Sequence, residues 1–253
     1  MASSTTSFVF RFAVFLLFLA IAFVGFSSLA YREYYAPAQE AQQQTNANAA
    51  ATPTPAQSPN DNINRAVSEA YTGDLSIFED AKREQNLQIN RVMDLLGIKA
   101  GANVADIGAG SGWFTTRAAR RAGEKGTVYA VEINQEYVDY IANRAKKENL
   151  TNIKTVLGGE DDPKLPEKSV DAALILKTYH EIAQPVRLLK NLRKSLKPNA
   201  KLGVIDRNGK GDDHGIEDKQ VIKEAEQAGF KLLDSYDFVK PDGMDYFLVF
   251  QVK

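Results

Sequence analysis

A short apolar run that ends in three closely spaced glycines constrains the fold of this chain most strongly. Residues 104–107 read Val-Ala-Asp-Ile, and glycines follow at positions 108, 110 and 112 before a helix-like segment begins. This order predicts a strand, a tight turn and the start of a helix, because glycine adopts backbone angles that other residues avoid. A turn without side chains also lets a ligand approach main-chain N–H groups. The stretch therefore predicts a ligand-binding turn at the end of a strand.

The spacing of these glycines distinguishes two kinds of nucleotide site. A dinucleotide fingerprint requires glycine at the first, third and sixth positions of the turn. Counted from Gly108, the sixth position is Trp113. The glycines instead form D-x-G-x-G-x-G with Asp106, which resembles the first motif of class I S-adenosylmethionine (SAM) dependent methyltransferases. The resemblance implies SAM as the cofactor, with Gly108, Gly110 and Gly112 beneath its methionine part and Asp106 assisting through the loop.

A second cofactor contact is predicted one helix later. Residues 128–132 form an apolar, β-branched run that ends in Glu132. An acidic side chain at the tip of this strand can accept hydrogen bonds from both ribose hydroxyls of a nucleotide. A strand-end glutamate is often only a solvated residue, but here the glycine turn and the acid occur together and in the expected order. We therefore expect Glu132 to bind the ribose.

The remainder of the domain alternates strands and helices, which favours a parallel sheet covered by helices on both faces. The link at 240–243 is too short for a helical crossover, so the last two strands should be antiparallel neighbours. We predict an α/β fold, a Rossmann-like three-layer sandwich around a mostly parallel seven-stranded sheet with an antiparallel terminal strand. The predicted strands span 103–107, 128–132, 153–157, 170–176, 201–206, 230–239 and 246–252, and the predicted helices span 85–96, 112–121, 135–149, 186–196 and 216–228.

An acidic segment after the third strand supplies a third candidate contact. Residues 158–166 resemble the G-D-A-x-x-L-P segment that borders the adenine in class I methyltransferases, and Leu165 and Pro166 fix the alignment. The resemblance assigns Asp161 to the position that accepts a hydrogen bond from the adenine amine, with Glu160 as the second choice. Three consecutive acids are otherwise typical of a solvated loop.

The fourth strand is followed by Tyr179, His180 and Glu181. Methyltransferases of class I position their acceptor substrate at this point, and the three residues resemble a group of bacterial members that share the wording V-A-D-I-G-A-G-x-G in the first motif. A histidine at a strand end is also common as a structural hydrogen-bond partner. If the acceptor must lose a proton, we expect His180 to act as the base with Glu181 as its partner, and Tyr179 to help handle protons or orient the substrate.

Composition excludes several other functions. The chain has no cysteine and two histidines, so neither disulfides nor a metal site built from thiolates or imidazoles is expected. The formal net charge is −1, which argues against a nucleic-acid partner. The methyl acceptor is not specified by these patterns, and we favour a small molecule or a lipid.

The N-terminal part of the chain reads as a membrane-directed segment followed by a tether. Residues 12–30 are apolar apart from two serines, close to the ~20 residues that cross a bilayer as a helix. We therefore predict an anchor or signal segment over 1–35, a disordered low-complexity linker over 36–62 and the methyltransferase domain over 63–253. The distribution of positive charge around the apolar segment slightly favours a domain outside the cytoplasm. Use of SAM requires the cytoplasmic face instead, so a periplasmic or secreted location stays open.

Two alternatives accompany the methyltransferase interpretation. The first is a membrane-tethered, non-catalytic binding module that keeps the same fold, because fold does not specify function. The second is an NAD-dependent oxidoreductase, which Trp113 and the terminal strand pair disfavour. Relative affinity for SAM and NAD would separate these possibilities.

Overall fold

The computed structural model describes residues 67–210, 214–240 and 243–253. The predicted segment over 1–35 and the linker over 36–62 lie outside the described residues. Within the described ranges, no helix is long and apolar enough to span a bilayer.

The described chain forms one seven-stranded sheet with helices between most of the strands. The strands are β1 (Val104–Ile107), β2 (Val128–Glu132), β3 (Ile153–Leu157), β4 (Val170–Leu176), β5 (Leu196–Arg207), β6 (Phe230–Tyr236) and β7 (Asp245–Val252). The helices are α1 (Arg83–Leu87), α2 (Ile89–Leu96), α3 (Trp113–Ala122), α4 (Gln135–Lys147), α5 (Pro185–Ser195) and α6 (Asp218–Gln227).

The strand order is β3-β2-β1-β4-β5-β7-β6. The first five strands pair in parallel, and β7 runs antiparallel to both β5 and β6. The reversed strand is thus the last in the chain and lies inside the sheet, which confirms the predicted Rossmann-like α/β fold and the antiparallel terminal pair. The order changes direction between β1 and β4, and open α/β sheets bind their ligands in the crevice at such a switch point.

Alternate residues of each central strand belong to the two helical layers. Ala105 and Ile107 of β1 pack in the core cluster that includes α5 and α6, whereas Val104 packs in the cluster that includes α2 and α3. Strands with both faces buried read as nearly continuous apolar runs, as β4 does over residues 170–176. The three-layer arrangement follows from this double burial.

Several boundaries differ from the prediction for local reasons. The helix predicted over 85–96 is divided at Gln88, which adopts a left-handed conformation (φ 45°, ψ 48°) and separates α1 from α2. Strand β5 begins at Leu196 instead of 201, and its pairing with β4 shifts in register over the stretch that contains Pro198. Proline lacks the N–H that a regular ladder needs, so it occurs at such an irregularity.

Candidate functional site

A cavity of ≈ 700 Å³ opens at the carboxyl ends of β1, β2 and β4. This volume lies within the ~300–1,000 Å³ range of small-molecule sites. The glycine turn 108–111 forms one wall, residues 131–135 at the end of β2 a second, and residues 176–178 and 181–183 at the end of β4 a third. Residues 70–72 and Phe78, which precede α1, line it as well. The cavity therefore lies at the topological switch point.

The glycine turn lies between β2 and the end of β4. Gly108, Gly110 and Gly112 have φ of 70°, 55° and 73°, in the region that favours glycine. The N–H of Gly108 donates to Val131 O at 2.9 Å, which ties the turn to β2. A Cβ at Gly108 would collide with the side chain of Thr178. Glycine at 108 is thus required by backbone angle and by close packing together.

Glu132 holds the turn from the neighbouring strand. Its carboxylate accepts hydrogen bonds from Gly110 N at 2.6 Å and from Ile133 N at 3.1 Å. Burial raises its pKa, while these two N–H donors lower it. Each carboxylate oxygen retains a second lone pair beside the cavity, as a ribose-binding acid requires.

Asp106 lies behind the turn. Its side chain is buried and accepts a hydrogen bond from Thr115 Oγ1 at 2.6 Å. Burial raises the pKa of Asp106 to about 7, and the charge of Glu132 adds to that effect. Asp106 also lines the cavity, so the structure brings it together with Glu132 and the glycine turn.

Arg83, the first residue of α1, is a cavity residue that the sequence patterns do not indicate. Its guanidinium lies over the Trp113 ring at 4.7 Å from the centroid, and its Nη1 donates to Phe78 O at 2.9 Å. Burial lowers the pKa of Arg83, and Asp106 opposes that shift. No spacing rule connects position 83 with the turn, because the contact arises from tertiary packing of α1 on α3.

Glu181 lies at the β4 side of the cavity and lines it. Its carboxylate accepts a hydrogen bond from the main-chain N–H of Tyr71. Burial raises the pKa of Glu181 to about 7, and the neighbouring His180 counteracts the shift. A carboxyl group with such a pKa exchanges protons readily near neutral pH.

His180 lies behind Glu181 and does not line the cavity. Its Nδ1 contacts the Asp206 carboxylate at 2.9 and 3.0 Å, and its main-chain N donates to the same carboxylate at 3.1 Å. Its Nε2 is 3.9 Å from Glu181 Oε1. The arrangement reverses the predicted order of the two groups, since Glu181 faces the cavity and His180 supports it. Sequence patterns do not indicate Asp206, which comes from β5.

Tyr179 does not occupy the predicted substrate-contacting position. Its side chain is fully buried, and its hydroxyl donates to Glu224 of α6 at 2.8 Å. The side chain packs in the core cluster of α5 and α6 instead of the cavity. The three consecutive residues 179–181 form a short 3₁₀ turn, which directs neighbouring side chains in different directions.

Asp161 lies outside the cavity, whereas Glu160 lines it. The Asp161 carboxylate forms an ion pair with Arg187 at 2.5 Å, and its carbonyl accepts from Asn191. These contacts attach the loop to α5. Of the two residues that the resemblance offers for the adenine amine, Glu160 is therefore the one that lines the cavity.

Within the described ranges, no group of three or more His, Cys, Asp and Glu side chains is suited to hold a metal ion. Among the described residues, the charged groups that line the cavity are two cations and four acids. They are Arg83, Asp106, Glu132, Glu160, Lys177 and Glu181.

Comparisons with known proteins agree with this fold. Residues 104–199, from β1 into β5, match a family described as a methyltransferase domain. A crystal structure of a SAM-dependent methyltransferase from Aquifex aeolicus has a TM-score of 0.65 and 25% identity, covering 72% of this chain and 100% of that chain. Together with the sheet order, these matches support a class I SAM-dependent methyltransferase domain with SAM as its cofactor.

Individual relatives match less than half of the chain. Protein-L-isoaspartate O-methyltransferase from Pyrococcus horikoshii is 29% identical over 111 residues, covering 44% of this chain and 47% of that protein. 2-Phytyl-1,4-naphtoquinone methyltransferase from Trichormus variabilis is 32% identical over 111 residues, covering 44% of this chain and 48% of that protein. The chain thus spans about half the length of these curated relatives.

Proposed function

We propose that this protein transfers a methyl group from SAM to an acceptor by in-line displacement. The observation that carries the proposal is one cavity in which a glycine turn bonded to Glu132 faces Glu181. The glycine turn with Glu132 suits a nucleotide cofactor, and Glu181 suits removal of a proton from an acceptor.

The residues on the β1 and β2 side fit SAM. Gly108 and Gly110 of the turn line the cavity without a Cβ, Glu132 has lone pairs for the ribose hydroxyls, and Glu160 is placed for the adenine. Arg83 adds a guanidinium suited to the carboxylate of the methionine part, because a guanidinium binds carboxylates with two parallel hydrogen bonds. The buried carboxyl of Asp106 supports the turn from beneath.

When bound, SAM would supply a methyl group on a sulfonium sulfur, with the neutral thioether S-adenosylhomocysteine as the leaving group. The protein must align the acceptor with that methyl and exclude water. Residues 70–72 and Phe78 cover the cavity and serve to exclude water. Glu181 takes the proton of the acceptor, and His180, oriented by Asp206, stabilises the carboxylate before transfer.

The acceptor that we favour is a small molecule or a lipid. The wall beside Glu181 contains Ile182 and Leu188. Such a wall suits an acceptor with an apolar or aromatic body. The relative from Trichormus variabilis is named for a naphthoquinone, which agrees with this class. An N-terminal anchor over 1–35 would place the enzyme at a membrane, on the cytoplasmic face where SAM is available.

The alternative is a membrane-tethered binding module without catalysis. The full-length protein can be incubated with methyl-labelled SAM and separate extracts of small metabolites and lipids. We expect label to enter one extract with the wild type and to be lost with Glu181→Gln, whereas affinity for SAM is retained. If Glu181→Gln labels the extract as strongly as the wild type does, Glu181 is not the base. Binding of SAM without transfer to either extract would favour the binding module.

A further inference from the structure

Lys177 is the cavity residue that neither the cofactor site nor the proposed base explains. It directly follows β4 and lines the cavity. Its φ of 56° lies in the left-handed region, which a lysine rarely adopts. Such conformations persist where surrounding contacts determine them, and they concentrate at functional sites. The main-chain N–H of Lys177 donates to Ile205 O at 2.8 Å, which fixes the turn against β5.

The ammonium group of Lys177 is held by a buried acid. Lys177 Nζ lies 2.5 Å from Asp245 Oδ2, and the Asp245 side chain is 0% exposed. Neither Asp245 side-chain oxygen has a hydrogen bond of good geometry within the described part of the chain. A buried carboxylate is costly unless a cation accompanies it, so Asp245 fixes the position of the ammonium.

The sheet order puts this ammonium on the acceptor side of the cavity, away from the glycine turn. Asp245 begins β7 opposite Arg207 of β5, and β5 and β7 lie successively further from β1 and its glycine turn. Arg83, the other cation that lines the cavity, lies beside Asp106 of β1. Among the described residues that line the cavity, Lys177 is thus the cation on the acceptor side. Its side chain is 30% exposed, and an ammonium has three donors, of which Asp245 needs one.

We propose that Lys177 binds an oxyanion of the methyl acceptor, such as a carboxylate, and that Asp245 positions Lys177 for this contact. The inference rests on the proposed function for the identity of the bound molecule. It assigns the acceptor two features: a group that reacts near Glu181 and a negative group further along the sheet edge. A charge-assisted hydrogen bond contributes about 1.5–3 kcal/mol, equivalent to a preference of about tenfold or more over a neutral analogue.

A matched pair of probes tests the contact without knowledge of the acceptor. The full-length protein is titrated calorimetrically with 4-hydroxybenzoate and with 4-hydroxybenzamide, in the presence and absence of S-adenosylhomocysteine. The two probes differ in charge and have similar shape. Lys177→Met removes the ammonium, and Lys177→Met combined with Asp245→Asn avoids leaving a buried carboxylate unpaired. Lys146→Met, at an exposed position of α4, is the control.

We expect the wild type and Lys146→Met to bind the carboxylate probe at least about tenfold more tightly than the amide. Both Lys177 variants should lose this preference and keep their affinity for S-adenosylhomocysteine. Equal binding of the two probes, binding of neither at millimolar concentration, or a preference that survives in the double variant would overturn the proposal. If S-adenosylhomocysteine does not bind, that result counts against the proposed function. The probe titrations made in the absence of S-adenosylhomocysteine would still test whether Lys177 binds the carboxylate.

Discussion

At the scale of single residues, the chemistry of the acceptor side depends on the carboxyl group of Glu181. Its pKa is raised from 4.5 to about 7, chiefly because the side chain is buried. His180 lies behind it, with Nε2 at 3.9 Å from Glu181 Oε1 and Nδ1 against the Asp206 carboxylate. Because the buried carboxyl is costly to ionise, the free energy of unfolding depends on pH. The environment of Glu181 can therefore be measured without an acceptor.

The first prediction concerns the pH dependence of stability. Because the folded-state pKa of Glu181 is raised, the unfolded chain loses this proton first as pH rises from 4.5 to about 7. The contribution of Glu181 to stability is therefore fully present below pH 4.5 and falls through that window. Relative to Glu181→Gln, the wild type should lose roughly 1–3 kcal/mol of unfolding free energy between pH 4.5 and 8. Urea denaturation of both proteins measures the difference, and a constant difference would contradict the burial of Glu181.

A second prediction at this scale concerns Arg83. If its guanidinium binds the methionine carboxylate, Arg83→Met should weaken the binding of SAM by about tenfold or more. A hydrogen bond to a charged group contributes about 1.5–3 kcal/mol. It should leave 5′-methylthioadenosine, which lacks that carboxylate, almost unaffected. Arg117→Met is the control, because Arg117 packs on the same Trp113 ring at 3.9 Å but does not line the cavity. Equal weakening of the two ligands would show that Arg83 acts only through the shape of the cavity.

The residues that sequence patterns identify are those whose signal is local. Asp106, the three glycines and Glu132 occur at strand ends in a fixed order, so their proximity follows from parallel pairing of β1 with β2. Arg83 and Asp206 reach the site from a helix and a strand distant in the chain, and no spacing predicts such contacts. The directions of His180 and Glu181 depend on a 3₁₀ turn, which periodicity does not resolve.

At the scale of elements, the turn between β1 and α3 depends on the end of β4. Thr178 Oγ1 donates to Gly108 O at 3.3 Å, and its side chain fills the space that a Cβ at Gly108 would need. The cofactor turn and the acceptor segment are therefore packed directly together. A change in either element alters the other.

This packing leads to a third prediction. Gly108→Ala should destabilise the protein by about 1–2 kcal/mol for the left-handed backbone and by about 1–3 kcal/mol more for the collision with Thr178. Gly97→Ala, at φ 76° with no atom near its Cβ position, should show only the first cost. Unfolding of both variants in urea compares them, and equal losses would mean that the collision relaxes without cost.

The elements themselves follow from the sequence to a large extent. The apolar runs of β1, β2 and β4 predict buried parallel strands, and the short link after β6 predicts its antiparallel pairing with β7. The break at Gln88 has no sequence signal, because glutamine ordinarily favours a helix and its left-handed angles come from packing. The early start of β5 was hidden by Pro198, which normally ends a regular element.

At the scale of the whole molecule, the segment before α1 joins the two ends of the cavity. Ser68 N donates to His180 O at 3.2 Å, and Tyr137 Oη donates to Tyr71 O at 3.0 Å. Glu79 accepts from Ser111 Oγ at 2.7 Å and pairs with Arg144. The segment thus contacts the glycine turn, α4 and the acceptor side together.

The measurement that tests the central claim most directly is calorimetric titration of the full-length protein with SAM and with NAD, beside Glu132→Ala and Glu136→Ala. Glu136 is an exposed acid in the first turn of α4 that does not line the cavity, and it provides the control. The cofactor site predicts micromolar binding of SAM, no comparable binding of NAD, a loss of about tenfold or more in Glu132→Ala and unchanged affinity in Glu136→Ala. A folded protein that does not bind SAM, or that binds it equally well without the Glu132 carboxylate, would contradict the account.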